Sequence, residues 1–385
     1  MKCIGLFLSS EPSAGGIQQY SLSIIKALDS FDKSQFKIQC FYFNSQWENC
    51  IPIHFLKVPL KRHFFDRATG AVVRKLFMSY RLWRWIGARS EVAKIINNSD
   101  CDVVIYPAQD ALAYQVQKKS IVTIHDLMHR YESHFQEYQG KECEIRDEHY
   151  KGICQYANLI LVDSRIGEGH VYESYGRNHN VRVLPFVPPI YLLESNKIDF
   201  AKTHSLPIRY IFYPAQFWEH KNHLTLLRAL NILRNRNIVV NLFLVGSKKN
   251  YYENVLHKIK YYGLEHQVFI LGYVSNKEMY SLYKQAIAMV FPSLIGPTNI
   301  PPMEALLTGC PLICSNAYAM PEQVGDAALL FDPKSAEELA DKIEMVWTDE
   351  AVRERLAKLG QIKIAQYGQA QFNEILQACI NEVLD

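Results

Sequence analysis

The sequence has little that marks a chain for export. Its longest N-terminal apolar run, Cys3 to Leu8, is too short for a signal-peptide core, and Glu11 follows it rather than a small-residue cleavage site. A cytoplasmic location is therefore expected. The nine cysteines contain no C-x-x-C pair, so a zinc ribbon or dithiol redox motif is excluded and reduced, mostly buried thiols are expected. No internal repeat and no low-complexity tract is evident. The spacing G-x-G-x-x-G is missing where the first strand meets the first helix, which argues against a nicotinamide dehydrogenase.

What is present is the composition of a folded, enzyme-sized body: 49% hydrophobic and 21% charged residues over 385 positions. That length exceeds what one core usually supports and predicts two α/β domains of about 150 to 200 residues each. The net charge of +3 is unevenly spread. From Lys57 to Lys94 there are ten Lys or Arg against Asp66 and Glu91 alone, a local excess of +8.

The N-terminal half alternates β-rich runs with helical stretches, the pattern of βαβ units around a parallel sheet. Strands are expected at Lys2 to Leu8, Lys37 to Phe43, Asp102 to Tyr106, Ser120 to Ile124 and Leu159 to Val162. Ile17, Tyr20, Ile24 and Leu28 mark one face of a first helix, and Glu142 to Ala157 reads as a charge-laced helix. The proline-bearing, aperiodic stretch Pro185 to Pro207 holds the interdomain linker, placed at 188–207. The domains are then 1–187 and 208–367. Beyond the linker, strands are expected at Ile208 to Tyr213, Val239 to Val245, Val268 to Leu271 and Met289 to Phe291. Ser275 with Glu278 and Ser335 with Glu338 have the spacing of capping boxes. The last helices are expected at Glu350 to Leu359 and Gln371 to Val383.

Open α/β sheets bind ligands beyond the carboxyl ends of their strands, so the loops that follow strands carry the chemistry. Ser13-Ala14-Gly15-Gly16 leads into the first helix, where paired glycines and free helix N–H groups suit a phosphate, although a plain turn has the same composition. His125 and Asp126 end an apolar strand. There the imidazole can hydrogen-bond a sugar hydroxyl or phosphate and the carboxylate can accept a proton from an incoming hydroxyl; a structural histidine is the alternative. In Ala215 to Asn222, AQFWEHKN, Lys221 can aim its ammonium at an anion near a helix start, or simply face solvent. Gly272-Tyr273-Val274 offers backbone groups to a flat base. Gly296 to Ala305, GPTNIPPMEA, is a proline-stiffened loop whose amides face one way, with Glu304 expected on the first helical turn, where a carboxylate suits the vicinal hydroxyls of a ribose.

Taken in order, GG near residue 16, HD at 125, HKN at 220, LGYV at 271, NIPPMEA at 299 and PEQVGDAALLFDP at 321 resemble the retaining glycosyltransferases of family four. The resemblance spans essentially the whole chain and is densest from Tyr210 to Pro333. It implies an α/β GT-B fold: two Rossmann-like domains with parallel sheets facing across a cleft, the donor mainly on the C-terminal domain and the acceptor on the N-terminal one. It also implies that the final helix, 368–385, packs back on the N-terminal domain. By the same resemblance Lys221 lies on the donor diphosphate, Gly15 and Gly16 near that phosphate, and His125 near the transferred sugar. Glu304 matches the second glutamate of the family's paired-glutamate motif, which holds the ribose. Thr298, Asn299 and Ile300 fall where backbone amides contact sugar and phosphate, and Val274 falls at the base-binding turn. Two positions depart from the common pattern: Gly296 stands where the family usually has a glutamate contacting the sugar, and Gln216 where it commonly has an arginine. Both belong to a variant loop pattern and leave the donor sugar open.

The implied reaction moves a hexose, mannose being the first to consider, from a GDP- or UDP-sugar to a saccharide or lipid-linked acceptor, as in bacterial surface polysaccharide synthesis. Lys221, His125 and Asp126 are the expected catalytic groups, and the last two also face the acceptor. No metal or other cofactor is required, because Lys221 and the helix after Gly16 can stabilise the leaving phosphate. The only D-x-D, Asp100-Cys101-Asp102, precedes its strand and reads as a surface turn. The Lys57 to Lys94 stretch interleaves cations with Phe64, Phe65, Phe77, Tyr80, Trp83 and Trp85, which suits peripheral contact with an anionic membrane. No nucleic-acid fold signature accompanies the charge, and a solvated helix with a core-facing aromatic stripe is the other reading. A sugar-nucleotide 2-epimerase on the same fold and a catalytically silent nucleotide-sugar binder are the competing functions. The first would need no acceptor, and the second would release no nucleoside diphosphate.

Overall fold

The computed structural model describes residues 1–11, 15–61, 79–177, 179–189, 191–194, 198–296 and 298–385. Ser13 and Ala14 of the first loop, and Phe64, Phe65 and Phe77 of the basic stretch, lie outside the described residues. The chain divides into two compact units. The first comprises Met1–Ser133, Tyr138–Val187 and Gln369–Asp385, and the second His134–Glu137 and Pro188–Gly368.

The first unit is built on seven parallel strands: β1 (Lys2–Leu8), β2 (Phe36–Tyr42), β3 (Leu56–Pro59), β4 (Val103–Tyr106), β5 (Lys119–Thr123), β6 (Leu159–Val162) and β7 (Val181–Val183), in the order β3-β2-β1-β4-β5-β6-β7. The inner strands β4 and β6 are apolar and buried along their whole length, as strands covered on both faces must be. The helices α1 (Gly16–Asp29), α2 (Tyr80–Gly87) and α3 (Lys141–Tyr156) belong to this unit, as does the C-terminal helix Gln369–Leu384. That helix packs on α1 through Phe372, whose ring meets Tyr20 at 5.9 Å, and Lys119 donates to the carbonyl of Val383 at 2.6 Å.

The second unit repeats the plan with six parallel strands: β8 (Ile211–Pro214), β9 (Leu242–Val245), β10 (Val268–Gly272), β11 (Ala288–Phe291), β12 (Leu312–Ser315) and β13 (Ala328–Phe331), in the order β10-β9-β8-β11-β12-β13. Its helices include α4 (His223–Asn235), α5 (Asn276–Gln285), α6 (Ile300–Thr308) and α7 (Met320–Val324). In both sheets the strand order reverses beside the unit's first strand, between β1 and β4 and between β8 and β11. Crevices at the carboxyl ends of the strands on either side of such a reversal are where doubly wound sheets bind ligands.

Several sequence expectations change at their edges. The strands expected from Ile208 and Val239 begin at Ile211 and Leu242, because Ile208 (78% exposed) and Val239 (57%) face solvent before pairing starts. Strands β3, β7, β12 and β13 were not anticipated; each is only three or four residues long. Within the linker stretch, Tyr191–Glu194 and Phe200–Thr203 form single helical turns, and Phe200 is buried. Ser275 and Glu278 make the full capping box at the start of α5. Ser335 does not: its hydroxyl accepts from the Glu338 amide, but the Glu338 carboxylate turns to the amide of Asp332. Nor is Asp100-Cys101-Asp102 merely a surface turn, since Cys101 is buried and the Asp102 carboxylate accepts from the Cys3 amide at 2.7 Å.

Candidate functional site

In the first unit, α1 starts at Gly16 with Gly15 as its N-cap, at φ +59° and ψ −121°. This left-handed backbone favours glycine, and glycine brings no side-chain oxygen to cap the helix. Gly15 and Gly16 are both exposed, so the first-turn N–H groups face outward with a positive dipole behind them. His125 follows β5. Its Nε2–H donates to the carbonyl of Pro107, just beyond β4, at 2.9 Å, while Nδ1 is buried and has no hydrogen-bond partner among the described residues. The ring stacks on Phe186 at 5.8 Å and meets the edge of Tyr20 at 5.1 Å. Burial pushes the imidazole below its ordinary value, against the opposing pull of the Pro107 carbonyl and Asp126, so the ring is neutral at pH 7. Asp126 turns back to accept from the Met128 amide at 3.0 Å, which fixes the loop after β5.

In the second unit the HKN segment divides its work three ways. His220 is buried and pairs through Nδ1 with Glu137, whose other oxygen accepts from Asn250 at 3.0 Å. Burial alone would raise the Glu137 carboxyl, but the hydrogen bonds from His220, its own backbone amide and Asn250 outweigh it and hold the group below its ordinary value. Asn222 adopts φ +58° and donates to the carbonyls of Pro292 at 2.9 Å and Pro333 at 2.8 Å, stapling the β8 loop to those after β11 and β13. Between them Lys221 reaches across the strand-order reversal. Its carbonyl accepts from the Tyr213 hydroxyl at 2.8 Å, and its Nζ donates to Oδ1 of Asn299 at 3.3 Å. Gln216, at the start of this loop, is exposed and accepts from the Trp218 indole at 2.9 Å. On the far side of the sheet β10 ends at Gly272, with φ +69°, leaving Tyr273 90% exposed beside the half-buried Val274.

The loop after β11 differs from expectation in two respects. Glu304 is the fifth residue of α6 rather than a first-turn residue, and it is buried, 7% exposed. Both its oxygens are engaged: Oε1 accepts from Tyr191 at 2.8 Å and Oε2 from Tyr283 at 2.6 Å. Burial raises its carboxyl above the ordinary value, against these two hydrogen bonds. Glu304 is therefore a buried acid whose two oxygens each already accept from a tyrosine. The Asn299 amide, expected to face sugar or phosphate, instead donates to Oε1 of Gln323 at 3.1 Å. Thr298 and Ile300 flank it, both half-buried. Gly296 has φ +132°, and a Cβ there would stand 2.3 Å from Nδ2 of Asn299. The backbone there strains any L side chain, and the Asn299 carboxamide lies where that side chain would start.

Lys221, Asn299 and, through Asn299, Gly296 are thus brought together at one switch point, and Glu304 follows in α6, bound to Tyr191 and Tyr283 instead. Gly15, Gly16, His125 and Asp126 lie in the other unit, in the loops after β1 and β5. Glu137, Tyr191, Tyr283 and Gln323 were not anticipated. Only Gln323 carried any signal, lying inside the PEQVGD run.

The chain aligns over its whole length with solved structures. Sucrose-phosphate synthase from Thermosynechococcus elongatus aligns with a TM-score of 0.77 at 17% identity, covering 100% of this chain and 99% of that one. Anabaena Alr3699/HepE in complex with UDP-glucose aligns at 0.75 and 17%, covering 99% and 100%. The fold is GT-B. Within this GT-B chain, residues 194–363 match the family described as Glycosyl transferases group 1. The chain is 28% identical over 159 residues to the O-antigen chain mannosyltransferase B of Escherichia coli, a match covering 41% of this chain and 42% of that protein. The chain therefore spans less than half of this curated relative.

Proposed function

We propose that the protein is a retaining glycosyltransferase that moves a hexose, mannose first, from a nucleoside-diphosphate donor to a saccharide or lipid-linked acceptor in surface polysaccharide synthesis. The observation that carries this reading is Lys221 held against Asn299 at the switch point between β8 and β11, inside the segment matching Glycosyl transferases group 1. The mannose and polysaccharide parts rest on the O-antigen mannosyltransferase named above, and a UDP-sugar is the second donor to test because HepE was solved with UDP-glucose.

When the sugar leaves, negative charge grows on the diphosphate. The Lys221 ammonium neutralises it directly, and the uncapped helix after Gly15 supplies free N–H groups, so the scheme needs no metal. Glu304 takes the ribose once Tyr191 yields, Val274 and the Gly272 turn take the base, and the amides of Thr298 and Ile300 take phosphate or sugar. Neutral His125 offers a hydrogen bond to the transferred sugar, and Asp126 receives the acceptor proton. Exposed Trp85 and the arginines of α2 give the first unit a basic aromatic surface suited to an anionic membrane, where a lipid-linked acceptor would reside. No described helix is long and apolar enough to cross a membrane.

The test is incubation of purified protein with GDP-mannose or UDP-glucose and a panel of mannosides and lipid-linked saccharides. Release of nucleoside diphosphate only with acceptor, and a product keeping the donor's anomeric configuration, is the expected result. Epimerised nucleotide sugar formed without acceptor would replace this reading with an epimerase, and binding without release under every acceptor would leave a silent binder.

A further inference from the structure

An asparagine at a helix N-cap normally uses its side-chain oxygen to accept from the N–H of the second or third helical residue. Asn299 is the N-cap of α6, with extended φ −142° and ψ 141°, yet makes no such bond. The cause is in the sequence: those two residues are Pro301 and Pro302, which have no N–H. The paired prolines free the Asn299 carboxamide, and its oxygen accepts instead from Lys221 Nζ at 3.3 Å.

Something must hold a side chain released in this way. Its backbone is gripped on both sides by one residue, Gln323 of α7, which accepts from the Asn299 amide at 3.1 Å and donates to the Asn299 carbonyl at 2.6 Å. Gln323 is itself buried, and a buried carboxamide is tolerated only when its polar atoms are paired. On the other flank Gly296 leaves room that any Cβ would close. Met320 Sδ, 3.6 Å from Asn299 Nδ2, keeps the amide end of the carboxamide pointed away from the lysine.

The chemistry of Asn299 also matters. A carboxylate at that position would add a negative charge beside the ammonium, whereas a neutral carboxamide orients it without adding one. We propose that Gln323 is a positioning residue that, through the proline-released Asn299, holds the Lys221 ammonium ready for the donor diphosphate. This rests on the donor-site reading above and deepens it by naming Gln323, outside that site, as the residue that aligns it.

Titrating GDP, GDP-mannose, UDP and UDP-glucose into the full chain separates the two levels. Wild type that binds none of the four overturns the donor-site reading, and this inference with it. Given wild-type binding, Gln323→Leu is expected to weaken the nucleoside diphosphate and its sugar conjugate alike, by about tenfold, because the arm acts on the diphosphate. The same change made on a Lys221→Ala background is expected to add less than about twofold. Asn299→Asp, isosteric and still able to hold Lys221, keeps the wild-type melting temperature and is expected to lose diphosphate affinity by a similar factor through the added negative charge alone. Diphosphate affinity unchanged in Asn299→Asp, or an equal loss from Gln323→Leu with and without Lys221, would overturn the proposal. Should Gln323→Leu fail to fold, Asn299→Asp decides it.

Discussion

The phenol of Tyr283 donates a 2.6 Å hydrogen bond to Oε2 of Glu304, and both residues are buried in the second unit. With Tyr191 on the other oxygen, Glu304 is a satisfied buried acid, and burial raises its carboxyl above the ordinary 4.5. A raised acid keeps its proton longer in the folded state than in the unfolded chain. Stability therefore falls as pH rises from about 4.5 through the raised value, because the folded state binds more protons across that window. Glu304→Gln cannot ionise and removes this dependence. Melting curves of the two proteins should converge near about pH 4 and separate toward about pH 8, with the variant gaining. Parallel curves would contradict the account of this residue.

Asn222 makes a second, independent prediction. It combines a left-handed backbone with two donated hydrogen bonds and one accepted from Thr225 at 2.8 Å. Asn222→Ala strands two buried carbonyls and adds backbone strain, and should cost about 3 kcal/mol in denaturant unfolding. Asn222→Gly loses the same bonds without the strain, and should be milder by about 1 kcal/mol. Two variants of wild-type stability would show that the staple contributes nothing.

The repeated α/β plan was legible because its inner strands are short apolar runs such as VVIY and LILV set between amphipathic helices, the pattern that doubly covered parallel strands give. Strands LICS and ALLF were as apolar, but lay inside runs that read equally well as helix flanks, and VRV is too short to have a period. At the site, Lys221 and Asn299 were visible as polar residues after strands. Their contact was not, since it joins positions 78 apart through a loop whose course depends on Gly296 and Gln323. Tyr191 and Tyr283 were invisible for the same reason: a tyrosine's place in a helix does not tell which carboxylate it will meet.

The α2 surface is tested by vesicle co-sedimentation. Arg89 lies 3.9 Å over the Trp85 ring, while Trp85 is 58% exposed and Arg84 covers Tyr156 at 4.2 Å. Binding to vesicles of phosphatidylglycerol and phosphatidylethanolamine should exceed binding to neutral vesicles. It should drop several-fold with Trp85→Ala and fall again in about 0.5 M salt, where the Debye length is only a few ångströms. Equal binding to anionic and neutral vesicles would remove membrane contact from the proposed function.

Everything proposed about the reaction passes through the ammonium of Lys221. Calorimetric titration of GDP-mannose and UDP-glucose into wild type and Lys221→Ala is the most direct test. The account predicts that whichever donor the wild type binds is bound at least about tenfold more weakly by the variant, with the melting temperature of the free protein nearly unchanged. Equal donor affinity in the two proteins would contradict it.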